Sequence, residues 1–256
     1  MKFTRKVLCR LAVFIAQVTA GCSIIFPQQT HYNSYLVPIA MVEKGGLYRT
    51  EEDGSISYAV EGLRVNVKFM TDAELNTLLP EDSNKGEYST NPYTYGDYVD
   101  RDLGYIPNRF TVFKVSVFNY TFAKVQLDPI EAGLLTDRGE EFHAYGIPST
   151  SPYNSFERYY RGLRGQSGND FYRFEVRMGH VRSHNYAQDQ PIFKGENYSG
   201  FIAFDPLEPE VQKVRLEMRD FVLKFDEFGT PIETIDVRFD FDRKIEKWVM
   251  REAEKR

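Results

Sequence analysis

Apolar and polar side chains alternate along several stretches of the chain. Leu63, Val65, Val67 and Phe69 are interleaved with Arg64, Asn66 and Lys68. A period of two sends successive side chains to opposite faces, so this stretch predicts a half-buried strand. Phe110 to Thr121 predicts another, with Phe113, Val115 and Val117 facing one way. Phe122 to Leu127 is expected to turn back at Asn119 to Thr121 and pair with it. Ile202 and Phe204 share a face in Lys194 to Asp205. Leu216 and Met218 share a face in the next segment, and Phe221, Leu223 and Phe225 follow in the opposite phase. A phase shift near Arg219 predicts a bulge. Ile232 to Phe241 alternates once more, and the mixed-charge tail from Arg243 to Arg256 is expected to form a helix or a frayed end. Asp53-Gly54 and Asp137-Arg138-Gly139 are hairpin signals between such runs.

Helical signals are fewer. Thr71 followed by Glu74 forms a capping box, predicting a short helix that Pro80 ends. Glu81 to Asn108 is expected to be a long loop, rich in tyrosine: Tyr88, Tyr93, Tyr95, Tyr98 and Tyr105. Long loops in compact domains are often functional. Asn154 to Arg164 predicts a helix capped by Asn154, and Asp170 to His184 a second, without a clean apolar stripe and weakened by Gly179.

Many short alternating strands separated by turns, with few helices, predict a mainly β protein built as a β-sandwich. A helical insertion spans residues 148 to 190, between a first part of the sandwich (41 to 147) and a second part with the C-terminal tail (191 to 256). The valine-rich strand ending in Asn119, followed later by Gly195, Glu196, Gly200 and Phe204 in the pattern G-E-x-x-x-G-x-x-x-F, resembles the telokin-like, immunoglobulin-like domains of exported bacterial proteins. That resemblance covers residues 60 to 242 without the insertion. It implies an immunoglobulin-like architecture and no activity.

The N-terminus changes the picture. Lys2, Arg5, Lys6 and Arg10 precede the apolar run Leu11 to Val18, which is too short to span a bilayer. Residues 1 to 21 are therefore expected to be an export signal. The stretch Thr19-Ala20-Gly21-Cys22 resembles the lipobox of bacterial lipoproteins, with Thr19 where the family prefers leucine. The resemblance implies cleavage before Cys22, diacylglycerol on its thiol, and residues 22 to 40 serving as a tether. Ser23 after the cysteine resembles the outer-membrane sorting pattern, implying a lipid-anchored protein of the bacterial envelope that faces the periplasm. An ordinary signal cleaved after Ala20 is the alternative. In a eukaryotic secreted protein, Asn119 and Asn197 would be glycan acceptors.

Cysteine usage agrees with the lipoprotein resemblance. The chain has two cysteines, and Cys9 would leave with the signal. The mature chain would then keep one thiol, at its first residue, with no internal disulfide to make. One acyl chain binds membranes only reversibly, whereas two or three hold durably. Loss of the signal's four cationic side chains moves the net charge from −5 to −9. That balance argues against nucleic acid as a partner.

Motifs for chemistry are sparse. His180 and His184 stand at i, i+4, but no glutamate follows His180 as in zinc proteases; they are expected to be surface histidines. No G-x-S-x-G, Walker loop or G-x-G-x-x-G occurs. Asp236, Asp240 and Asp242 have the even spacing of one strand face, with Arg238 among them, and are expected to be a solvated outer face rather than a cation site. No catalytic residue, cofactor or metal is assigned.

Two features suit binding. Arg158, Arg161 and Arg164 recur every three residues around Tyr159 and Tyr160, with Arg173, Arg177 and Arg182 beyond, a basic cluster in an acidic protein. Guanidinium groups suit carboxylates and phosphates and stack on aromatic rings. Tyr93, Tyr95 and Tyr98 offer flat apolar area with a polar handle. The sequence thus predicts a membrane-anchored, non-enzymatic module that binds or assembles with an envelope protein. A carbohydrate or peptidoglycan binder is the alternative, and an envelope hydrolase without a recognisable motif comes third.

Overall fold

The computed structural model describes residues 30–39, 46–163 and 168–249. The signal segment, Cys22, Arg164 and residues 250–256 lie outside the described residues. What is described is mainly β, with several antiparallel sheets in an arrangement compatible with a β-sandwich.

The five-stranded sheet has the order β12-β5-β4-β3-β2. Its strands are β2 (Tyr48–Thr50), β3 (Ile56–Val60), β4 (Leu63–Met70), β5 (Thr111–Asn119) and β12 (Asn197–Phe204). The Asp53-Gly54 turn joins β2 to β3 as expected, with Gly54 at φ 78° and the Asp53 carboxylate accepting from Ser55 N at 3.1 Å. Glu61 and Gly62 both take positive φ between β3 and β4, which suits a tight hairpin of matching twist.

The seven-stranded sheet runs β1-β14-β13-β6-β11, with β7 pairing β13 and β8 pairing β7. Its strands are β1 (Thr30–Pro38), β6 (Lys124–Gln126), β7 (Ala132–Thr136), β8 (Glu141–His143), β11 (Pro191–Phe193), β13 (Lys213–Phe225) and β14 (Pro231–Val249). Two-residue strands β9 (Tyr145–Gly146) and β10 (Asn154–Ser155) pair in parallel beside them. The expected phase shift is a register break between Met218 and Phe221, with Asp220 at φ 50°. The charged segment after Arg243 is neither helix nor frayed end as far as Val249. It continues β14, which pairs with β1 over residues 241–249 and with β13 over 231–242. Beyond Asp242 the two strands therefore form a ribbon of their own. Arg243 ties it down, donating from Nε to Ser34 Oγ (3.0 Å) and from Nη1 to the Glu208 carbonyl (2.5 Å).

One prediction fails instructively. β6 does not pair with β5 but crosses to the other sheet, beside β11 and β13. Asn119 causes the crossing. It is fully buried, donates to the carbonyls of Phe122 (2.8 Å) and Ile192 (2.9 Å), and accepts from Phe122 N (3.0 Å). A buried amide satisfied in this way fixes the chain's exit from β5. The residues of the G-E-x-x-x-G-x-x-x-F stretch also have definite positions. Gly195 (φ 87°) donates to Asn119 O at 2.7 Å, and Glu196 accepts from Phe193 N at 3.0 Å. Phe204 enters the core, and Gly200 lies against another segment's backbone.

The main core lies between the two sheets. Val65, Val67, Phe113, Val115, Val117, Ile202 and Phe204 face Val125, Leu134, Leu216, Met218, Phe221 and Phe239. The five-stranded sheet's other face is covered at one end by helices, which build a second core. These are α1 (Asp72–Leu78), α2 (Pro80–Ser83), α3 (Phe156–Gly162) and α4 (Gly168–His184). Val112, Phe201 and Ala203 point into this second core, opposite to Phe113, Ile202 and Phe204. Strand faces that meet apolar layers on both sides explain why Phe201 to Phe204 is buried without alternation.

The helices show further departures. α1 has the expected capping box. Pro80 opens α2 rather than only ending α1, so the predicted loop begins with a helical turn. The cap of α3 is Ser155, whose hydroxyl accepts from Arg158 N, whereas Asn154 belongs to β10. α4 has an apolar stripe after all, through Phe174, Met178 and Val181 at i, i+4 and i+7. Gly179 falls on its open side, where an added methyl would meet nothing. No described helix is long and apolar enough to cross a membrane.

Candidate functional site

The segment from α2 to β5 folds back along the helices. Asp82 is its pivot, accepting from His180 Nε2 at 2.7 Å, from Lys85 Nζ at 3.2 Å and from the Thr90 hydroxyl. Burial opposes that charge, but these hydrogen bonds hold Asp82 below the usual carboxylate range. His180 and His184 are therefore half-buried structural partners rather than surface groups, His184 Nδ1 lying 2.8 Å from the His180 carbonyl. Among the described residues no cluster suits a metal ion. Asp240 pairs with Arg215 (2.6 Å) and Asp242 with Lys213 (3.7 Å), while Asp236 lies 4.0 Å from Arg238.

Of the three tyrosines singled out in the loop, Tyr93 is fully buried and cannot present itself to a ligand. Its hydroxyl donates to Asn185 Oδ1 at 2.7 Å, and its ring stands edge-on to Phe156 and Phe201. It is a core residue whose one polar atom found a partner. Tyr95 and Tyr98 are half-buried and wall a cleft of about 280 Å³. Across it stand Arg173, Phe174 and Arg177 of α4 and Tyr160 of α3, with Arg109 at the floor. The tyrosine loop and the helical insertion thus meet in one place.

The arginines divide differently from the expectation. Arg158 is committed to structure: its guanidinium donates to the carbonyls of Ser149, Ser151 (2.7 Å) and Tyr153. Arg161 pairs with Glu157 at 2.5 Å along its own helix. The face chosen by three-residue spacing is a solvated helix face over Arg158 and Arg161, and the cleft takes Arg173 and Arg177 from the next helix instead.

Arg109 was not legible as a site residue, because it sits alone between Asn108 and a strand. It is 93 % buried, being 7 % exposed. Its guanidinium lies 4.1 Å over the Tyr95 ring and 5.9 Å from the Tyr160 ring, and Nη1 donates to Tyr160 Oη (3.3 Å) and Asn91 O (3.4 Å). Arg177 also lies near that tyrosine, 5.3 Å from its ring centroid, and donates from Nη2 to Ser89 O at 2.8 Å. Among the described residues neither arginine is in an ion pair, and the Nε of each is buried without a hydrogen-bond partner. An unmet buried donor costs about 1–3 kcal/mol, more when charged. Burial lowers the Arg177 pKa, and the charge of Arg109 adds to the effect. The lining's carboxylates are Glu87 and Asp170, and Asp170 is paired with Arg173.

Behind Arg109, burial pushes the Asp72 carboxyl up to about 7, with the charge of Arg109 pulling it back. A carboxyl whose pKa is raised on folding favours the native state only while protonated. Stability should therefore fall as pH rises from about 4 to 7 and level off above. Asp72→Asn is expected to match the wild type near pH 4 and to exceed it by about 4 kcal/mol at pH 8, at about 1.4 kcal/mol for each unit of the shift. Denaturant melts at the two pH values check this.

No family model, no curated protein and no solved structure matches the chain.

Proposed function

We propose that this protein is a non-enzymatic binding module of the bacterial envelope, lipid-anchored through Cys22 and engaging its partner at the cleft between the tyrosine loop and the helical insertion. The observation that carries this proposal is convergence: two segments distant in sequence, each suited to binding, wall one cleft through Tyr95, Tyr98, Arg109, Arg173 and Arg177. The immunoglobulin-like form of the sandwich belongs to the same proposal, supported by the places taken by Asn119, Gly195, Gly200 and Phe204. A protein partner fits the assembly role. The saccharide alternative is favoured by the cleft's size, at the small end of ligand sites.

Cross-linking in native cells tests the module, with Cys22→Ser and Tyr98→Ala as controls. The wild type should fractionate with membrane, and Cys22→Ser should be released; Cys22→Ser retained in the membrane fraction would overturn the anchor. A specific envelope component should be captured by the wild type and reduced at least several-fold by Tyr98→Ala. Capture unaffected by Tyr98→Ala would place the binding surface elsewhere.

A further inference from the structure

We infer that the cleft is an oxyanion site, in which the guanidinium groups of Arg109 and Arg177 that line it receive the phosphate or carboxylate of an acidic sugar. This deepens the proposal that the cleft is the binding site and rests on it for the cleft's role in the cell, but not for its chemistry.

Two guanidinium groups lie near one buried tyrosine ring, that of Tyr160, at 5.9 and 5.3 Å from its centroid. Arg109 is buried and Arg177 half-buried, and among the described residues no ion pair joins either to a carboxylate. Arg109 Nη1 and Arg177 Nη2 have carbonyl or hydroxyl partners that hold the two side chains in place along the cleft. Two like charges held close in a half-dry cleft repel, and a shared anion is the ligand that relieves the repulsion and supplies acceptors at once. Arginine's fixed fork suits the two or more oxygens of phosphate and carboxylate, and disfavours a spherical ion such as chloride.

The rest of the cleft limits what carries the anion. Its volume of about 280 Å³ accommodates a small group rather than a folded segment. Its remaining lining includes the tyrosines Tyr95, Tyr98 and Tyr160 beside Leu163 and Phe174. Tyr95 has one face covered by Arg109, leaving Tyr98 as the half-buried ring available to a ligand. A ring with an apolar face and hydroxyl edges complements a phenol in the same way that tyrosine suits wet interfaces. Glu87 and the Asp170–Arg173 pair line the same cleft. They offer acceptors and donors to sugar hydroxyls, and they discriminate against ligands of high negative charge.

The full-length protein, titrated calorimetrically at constant ionic strength, tests this with four probes: inorganic phosphate, a hexose 1-phosphate, a hexuronate and the neutral hexose. The anionic sugars should bind saturably and at least tenfold more tightly than inorganic phosphate, and the neutral hexose should give no heat. Arg177→Gln, at a half-buried position, should lose at least tenfold in affinity for both acidic sugars. Arg109→Lys keeps the charge but not the fork and should lose a similar factor. Circular dichroism melts show that each variant is folded, and an unfolded Arg109→Lys leaves Arg177→Gln to decide. Inorganic phosphate binding as tightly as the sugars would overturn the saccharide part. Saturable binding that survives both substitutions, or no binding by any anion, would overturn the site. Such a failure, with capture in cells still dependent on Tyr98, would leave the binding module standing without its oxyanion chemistry.

Discussion

Phe113→Ala is expected to destabilise the protein by about 4 kcal/mol, the usual cost of deleting a buried aromatic ring. Phe113 is fully buried on β5, which lies between β12 and β4 in the five-stranded sheet. Its ring contacts those of Phe69 (5.9 Å), Phe204 (6.1 Å) and Phe241 (5.3 Å). Phe69 and Phe204 come from the neighbouring strands, and Phe241 comes from the opposite sheet. Truncation therefore opens a cavity where both sheets meet and cannot be filled by the movement of one side chain. Guanidinium melts should show a lower midpoint with an unchanged slope, and the thermal midpoint should fall by roughly 10 °C. A loss below about 1 kcal/mol would mean that the sheets close over the gap.

Gly200→Ala should cost about 3 kcal/mol, at the upper end of what forced overpacking costs. A methyl group at Gly200 would stand 2.4 Å from both N and Cα of Tyr186. Those are backbone atoms, so no rotamer change can make room. The approach is held by the Tyr186 N–H, which donates to Phe201 O at 2.9 Å where the chain leaves α4 and meets β12. The substitution should push the helical layer off the five-stranded sheet and leave the contact between the sheets alone. Amide hydrogen exchange separates the two: protection should drop in α4 and at Tyr186 while β4 and β5 keep theirs. Uniform loss over the whole protein would show instead that the helical layer and the sandwich unfold as one unit.

These two positions also show how much of the molecule could be read from the chain. Phe113 was legible because a strand with one buried face writes its core in every second residue. The capping box at Thr71 and Glu74 and the turn at Asp53-Gly54 were legible for a similar reason: their hydrogen bonds are local. β6 was misassigned because the bonds that redirect it join Asn119 to Ile192, far along the chain. The sequence marks Asn119 as the end of a strand, and its local bonds to Phe122 give no sign of the distant one to Ile192. The stripe of α4 is hard to read because only Phe174, Met178 and Val181 mark it, while the large rings of Phe171 and Tyr172 stand on the exposed side. The cleft was half legible. Tyrosine and arginine enrichment led to the right two segments, but periodicity chose Arg158 and Arg161, whose donors are used locally. Arg109 has no pattern around it, and its importance comes from burial and from the absence of a paired acid, which only the folded chain reveals.

The ribbon of β1 and β14 has a mechanical consequence. The nine register pairs from Thr30–Val249 to Pro38–Phe241 run along the line on which a pull from the segment preceding Thr30 would enter. Such a load meets the strands lengthwise, so the pairs resist together in shear instead of opening one after another. The whole β1–β14 pairing is about 30 Å long at the usual rise per residue, and Arg243 fastens it to the body where the free ribbon begins. A protein tethered through its N-terminus to a moving surface would receive that motion through this strap, with the cleft between the tyrosine loop and the helices on a different layer of the fold.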